Sequence, residues 1–277
     1  MSTLIGILLG IASIIIAFFI EQGDFTKLIL PAPMIIVIGG TLMAGLASTS
    51  WNTFRKMPTL INIAFFPPKY DKKAIILQMI EFSLITRKLG MLALESKMNS
   101  TRHPYVKKIF QVNIDGADVT SLEDLYSFEL DSITHRHNEN IALFHKLGGL
   151  SPTMGIIGTV MGLISTMGQV GGDGDPAKLI VSISVAFLAT LWGIALANLV
   201  WIPIADKLQV IHNEEVNLLD LIFEGAKCVL NGESPLLISS KLASSYPLSE
   251  QDRFHRDVRT FIDKQKKLIA DVPVQTF

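Results

Sequence analysis

The chain has 277 residues, of which 49% are hydrophobic and only 18% charged, where a soluble globule carries about 25% charged residues. A formal net charge of -1 argues against nucleic-acid binding, which needs a basic surface to neutralise phosphates. One cysteine, Cys228, excludes an internal disulfide and any dependence of the fold on an oxidising compartment.

The first apolar run, Thr3 to Ile20, approaches the ~20 residues that cross a bilayer. No basic residue precedes it and no small-residue cleavage pattern follows, so it is expected to be a retained span rather than a secretory signal. A short acidic loop leads to a second span, Leu28 to Ala47, with Pro31 and Pro33 at its start, where a missing N–H costs a helix little. Next comes a polar stretch in which Asp71 opens a long helical pattern running on through Gly90 to Met98. Ser121 to His145 reads as another helix, opened by Ser-Leu-Glu-Asp in a near capping-box arrangement. The third span is Leu147 to Val170 and the fourth Leu179 to Ala205, joined by a glycine-rich acidic loop. The fourth helix is expected to continue to a stop at Asn231-Gly232. From Glu250 to Phe277, basic residues mixed with Phe254, Val258, Phe261 and Leu268 suggest an amphipathic helix, lying on a membrane surface or packing on the polar domain.

No strand alternation and no internal repeat stands out. The expected fold is an all-α membrane protein with four transmembrane helices, a helical cytoplasmic domain between spans two and three, and a cytoplasmic C-terminal helical tail. The segments are residues 1–47 (spans one and two), 48–146 (cytoplasmic domain), 147–205 (spans three and four) and 206–277 (helical extension and tail). Arg55, Lys56, Lys69, Lys72 and Lys73 follow span two, whereas Glu21, Asp24, Asp173 and Asp175 dominate the short loops. That bias puts both termini and the middle segment in the cytoplasm.

None of the four spans contains Asp, Glu, Lys, Arg or His. Ion-coupled proteins usually hold an ionisable residue in the membrane, so a chain that conducts through these spans borrows its carboxylate from a partner; otherwise the spans only anchor. Pro152, Gly155, Thr159, Gly162 and Thr166 share one face of span three, and Ser182, Ala186, Thr190, Gly193 and Ala197 one face of span four. Such faces admit a close neighbouring helix, and their hydroxyls bond across the contact. At ~1.5 Å per residue, Thr159 stands roughly 18 Å above the start of its span and Thr190 roughly 22 Å above the end of its own. Two hydroxyls at similar depth are candidates to line one cation site, or simply to pack the helices together. The GQVGGDGDP stretch lacks the ending and preceding strand of a phosphate loop. His135 and His137 read as solvated residues of a charged helix, and nothing supports a catalytic constellation, metal site or cofactor.

Over nearly its whole length the chain resembles the MotA/PomA family of flagellar stator subunits. The layout of two spans, about a hundred polar residues and two more spans is similar to that family's. So are Arg87 to Glu95 (RKLGMLALE), Leu150 to Leu163 (LSPTMGIIGTVMGL), Ala189 to Gly193 (ATLWG) and Ile202 to Leu208 (IPIADKL). The resemblance implies a stator subunit in the bacterial cytoplasmic (inner) membrane, with five copies around two copies of a MotB-like single-span partner whose membrane Asp carries the ion. It implies an ion path at Pro152, Gly155, Thr159, Ala186 and Thr190, torque coupling at Pro152 and Pro203, and contact with a FliG-like rotor switch protein at Arg87, Lys88 and Glu95. The transported ion is Na+ or H+. Thr190 matches a position that is threonine in both classes, and Thr159 one that is threonine in sodium-driven members, so the resemblance leans towards sodium. The alternatives are an ExbB/TolQ-like proton-driven motor subunit and a non-conducting membrane scaffold. The tail from Glu250 has no counterpart in the family pattern.

Overall fold

The computed structural model describes residues 2–22, 28–169 and 176–270, and among them every regular element is helical. In chain order these are α1 (Ser2–Ile20), α2 (Pro31–Met34), α3 (Gly40–Ala47), α4 (Trp51–Arg55), α5 (Met57–Phe65), α6 (Lys72–Leu89), α7 (Pro104–Ile114), α8 (Val119–Gln169), α9 (Pro176–Leu196), α10 (Ile202–Leu230), α11 (Pro235–Ala243) and α12 (Leu248–Ala270). Both acidic loops of the sequence fall mostly on residues 23–27 and 170–175, outside the described residues, as does the tail beyond Ala270.

Contacts divide the chain into two compact units: Met1–Pro68 with Thr134–His212, and Lys69–Ile133 with Asn213–Phe277. In the first unit α1 to α5 pack with the C-terminal part of α8, with α9 and with the start of α10. Its core gathers Leu60, Ala64, Phe144, Leu147, Trp201, Ile204 and Ala205. Two helices, Val119–Gly168 and Ile180–Leu230, are long and apolar enough to cross a membrane by length and composition; Leu4–Ile20 and Pro31–Ala47 are shorter apolar helices. Large apolar side chains such as Leu9, Phe19, Ile35, Ile164 and Phe187 stay exposed on this unit.

Several local features depart from the sequence pattern for identifiable reasons. The α8 helix runs unbroken from Val119, through Gly148, Gly149 and Pro152, to Gln169. Its cap is Asp118, whose Oδ1 accepts the Ser121 N–H at 2.9 Å, so Ser121 lies inside the first turn rather than ahead of it. The helix opened by Asp71, whose side chain caps Ala74 N–H, stops at Leu89. Gly90 takes φ 82°, a backbone region glycine enters without penalty, and Met91–Ser100 follows as a 3-10 segment. The apolar spacing still carries through, because Leu94 and Met98 are buried. Wide π turns occupy Ile35–Gly39 and Ala197–Trp201. The second lies directly before Pro203, whose ring crowds the carbonyl four residues back in a regular α-helix; the wider turn relieves that crowding.

The second unit is a helical domain around a core of Ile76, Met79, Ile80, Phe82, Phe110, Leu218 and Ile222. Phe82 meets Phe110 edge-on at 5.1 Å, and Tyr126 stacks on Phe223 at 4.2 Å. Phe254, Val258 and Ile262 of α12 are buried in the same core, and Lys73 pairs with Asp257 at 2.5 Å. Of the two placements open to the amphipathic tail helix, its described part takes the second: it packs on the domain. Each buried side chain contributes about 1.5–3 kcal/mol.

Candidate functional site

Spans built of small residues lose little side-chain entropy on close approach and gain dispersion contacts that lipid cannot supply. Where α8 passes α9 the approach is at its limit. A Cβ on Gly155 would lie 2.8 Å from the Ala189 carbonyl oxygen and 3.1 Å from Thr190 Cα. On Gly193 it would lie 2.7 Å from the Ser151 carbonyl oxygen, and on Gly162 2.7 Å from Ala186 Cβ. Gly155 and Ala186 are therefore buried in the helix contact itself, part of its closure rather than the wall of an open passage.

Close packing at Gly155 and Ala186 brings the two hydroxyls together. Thr159 Oγ1 and Thr190 Oγ1 are 2.5 Å apart. Thr159 Oγ1 also lies 3.0 Å from the Ala186 carbonyl and 3.1 Å from the Gly155 carbonyl, and Thr190 Oγ1 lies 3.5 Å from the latter. Each hydroxyl has one proton and two acceptor lone pairs. With the shortest carbonyl contacts on Thr159, its proton goes to a carbonyl and the Thr190 proton goes to Thr159. Both lone pairs of Thr190 then remain open. The two side chains are only half-buried, so an oxygen acceptor faces outward from a surface that has no ionisable group of its own. This arrangement suits a partly dehydrated cation or a donor from a protonated carboxyl, and supplies neither acid nor base.

Pro152 is half-buried on α8, one residue beyond the fully buried Ser151. It has no N–H for the Gly148 carbonyl one turn below. Gly148 in turn abuts Ile202, the neighbour of Pro203, where a Cβ would lie 2.7 Å from Ile202 Cγ1. The two prolines thus occupy neighbouring levels of adjoining helices. Arg87, Lys88 and Glu95 belong to the other unit, exposed in the last turn of α6 and in the 3-10 segment after Gly90.

Three features are not evident from the sequence. The Trp192 indole donates to the Leu28 carbonyl at 2.7 Å, across 164 residues. His137 is not a solvated residue of the charged helix: its Nδ1 lies 3.1 Å from that of the buried His212, whereas His135 does face solvent beside Glu139. Thr41 Oγ1 and Ser151 Oγ are buried with no hydrogen-bond partner. Only the tryptophan had a sequence signal, in its conspicuous place among small residues. No group of three or more His, Cys, Asp or Glu is placed to hold a metal among the described residues.

Comparison with known proteins agrees with this architecture. Residues 97–220 match the MotA/TolQ/ExbB proton channel family, and residues 4–90 match the motility protein A N-terminal family. Motility protein A of Bacillus subtilis (strain 168) is 30% identical over 257 residues, covering 91% of this chain and 93% of that one. Chemotaxis protein PomA of Vibrio alginolyticus is 28% identical over 243 residues, covering 87% and 93%. Among solved structures, the flagellar MotAB stator complex from Bacillus subtilis superposes with a TM-score of 0.84 at 30% identity, covering 91% of this chain and 98% of that one. C. jejuni MotAB gives 0.84 at 26% identity, covering 89% and 96%. A chain whose described elements are all helical, with long apolar helices, a match along almost its whole length and the same fold as solved stator subunits, belongs to the motility protein A family.

Proposed function

We propose that this chain is the ion-conducting, torque-generating stator subunit of a flagellar motor, working with a MotB-like single-span partner. The observation that carries the reading is the Thr159–Thr190 hydroxyl pair on spans that hold no ionisable side chain. An ion path of this kind is complete only when another chain supplies the carboxylate. The partner's membrane Asp is that group, and the open lone pairs of Thr190 face it. Four spans cross the inner membrane, with both termini and the domain between spans two and three in the cytoplasm. Arg87, Lys88 and Glu95 meet a FliG-like rotor protein, and Pro152 and Pro203 provide the bend that couples ion passage to movement. Five copies surround two of the partner. The match of residues 4–90 to the motility protein A N-terminal family favours this over an ExbB/TolQ-like motor.

The test is the native mass of the detergent-purified complex after co-expression with the single-span protein encoded beside this chain. The expected species holds five copies of this chain and two of the partner. A stable assembly that excludes any carboxylate-bearing partner refutes the motor reading and leaves the membrane scaffold. The transported ion is Na+ or H+; Thr159→Ala weakens sodium-dependent motility if Na+ is carried, and motility that is unchanged in that variant and indifferent to Na+ excludes it.

A further inference from the structure

Hydroxyls on the apolar helices of the first unit almost all fold back onto a carbonyl of their own helix. Thr153 reaches Leu150, Thr166 reaches Gly162 at 2.7 Å and Ser184 reaches Ile180 at 2.9 Å. Such back-bonding is the default for serine and threonine in a helix. Thr41 and Ser151 depart from it: both are 0% exposed, and neither side-chain oxygen has a partner. The residues that precede Thr41 form the π turn Ile35–Gly39, where the carbonyl register that normally receives a threonine hydroxyl is shifted.

Packing puts the two on one contact. A Cβ on Gly40 would lie 2.8 Å from Met154 Sδ, and one on Gly45 2.5 Å from Leu147 Cδ2. The α3 helix therefore runs antiparallel to α8, with Gly40 at the level of Met154 and Gly45 at that of Leu147. Leu147, Ser151 and Met154 share one stripe of α8, and Thr41 lies in the arc of α3 between Gly40 and Gly45. Interpolation at ~1.5 Å per residue sets Thr41 within roughly 3 Å of the level of Ser151. Two orphaned hydroxyls thus share one closely packed contact, with the Gly148 carbonyl, deprived of a Pro152 N–H, one turn below. Buried water occurs where two to four polar groups otherwise lack partners.

We propose that a single water molecule is bound inside this contact, bridging Thr41 Oγ1 and Ser151 Oγ and donating to the Gly148 carbonyl. The water takes the place of the backbone hydrogen bond that Pro152 removes. It gives the carbonyl freed at Pro152 a partner that can follow movement of α8, where a fixed N–H could not. The site holds a neutral water rather than a cation, because no carboxylate lies on α3 or on α8 between Leu147 and Gln169 to offset the charge.

Thr41→Val, Ser151→Ala and the double variant of the full complex, each melted in the same detergent, test this. Loss of either hydroxyl evicts the shared water, so each single variant melts about 2–5 °C lower, and the double variant melts no lower than the worse single. A single variant that melts at or above the parent overturns the proposal, because removing a truly orphaned hydroxyl stabilises. Additive losses overturn it too, since they require separate partners. High-resolution density of the unaltered complex is the independent check. A peak roughly 2.7–3.2 Å from both oxygens supports the water, whereas hydroxyls in direct contact with no peak between them overturn it.

Discussion

Replacing Gly155 by alanine puts a methyl group where the helices have no room. The added Cβ would lie 2.8 Å from the Ala189 carbonyl oxygen, 3.4 Å from the Ala189 carbonyl carbon and 3.1 Å from Thr190 Cα. All three are backbone atoms, which cannot turn aside as a side-chain terminus can. Ordinary contact begins at 3.4 Å, so α8 and α9 must separate by about 0.6 Å. The Thr159 contact with the Ala186 carbonyl, now 3.0 Å, would open to about 3.6 Å, beyond hydrogen-bonding distance. Overpacking of this kind costs about 1–3 kcal/mol, and an interhelical hydrogen bond in a membrane adds about 0.6 kcal/mol. A total near 2 kcal/mol lowers the midpoint by roughly 4–8 °C. The assay is thermal melting of the purified complex, with Gly149→Ala on the same helix as comparison. A Cβ at Gly149 meets nothing within 4 Å, so that variant melts at or slightly above the parent through better helix propensity. Equal midpoints for the two variants would refute the argument that Gly155 sets the helix approach.

Further expectations concern the helical domain and its surface. Phe254→Ala removes a ring that is 4% exposed and stacked on Tyr246 at 5.0 Å, so it costs about 3–5 kcal/mol and frees α12 for limited proteolysis at concentrations of protease that leave the parent intact. Arg87→Glu and Glu95→Lys change exposed residues, so melting stays within about 0.5 kcal/mol while swimming falls, with partial recovery when the rotor carries the complementary reversal; parental swimming in both would end the rotor-contact assignment. Burial, aided by the Glu233 carboxylate, pushes the Cys228 thiol up to about 11. Since the folded value exceeds the unfolded one near 9, the neutral thiol's contribution to stability is fully present below pH 9 and disappears as pH rises through 11. Maleimide labelling at pH 8 should therefore be slow in the folded chain and fast in denaturant.

The parts legible in the sequence are those where one physical effect outweighs the rest. Apolar runs without charge announce themselves because an unpaired charge in lipid is expensive, and small residues at steps of three and four mark the faces that met at Gly155, Gly162, Ala186 and Gly193. Local backbone choices were less legible because opposing effects are nearly balanced there. The apolar period crosses Gly90 without a pause, yet a left-handed glycine ends the helix while Leu94 and Met98 stay in the core. The π turn before Pro203 depends on how a ring and a carbonyl share space, which no spacing rule reports. Asp118 caps α8 in place of Ser121, since either side chain serves and the choice rests on the preceding turn. For the tail helix, Phe254, Val258 and Ile262 fit lipid or protein equally well by pattern, and only a domain with a matching cleft decides between them. At the candidate site the residues were visible, but the division of labour was not. Gly155 and Ala186 close the contact, and Thr159 and Thr190 remain at its edge.

The Trp192–Leu28 bond bears on how the chain is made. The carbonyl at Leu28 finds its indole only after 164 further residues, which at about 5–20 residues per second is roughly 8–33 s of synthesis. Gly40 and Gly45 likewise wait for Met154 and Leu147 to fill the hollows beside them. The leading pair of apolar helices is therefore made unfinished, with a polar atom unanswered and two notches open. A ribosome stalled between the second and third apolar runs would leave a product that quality-control proteases can recognise, and completion of the fourth run removes the mark.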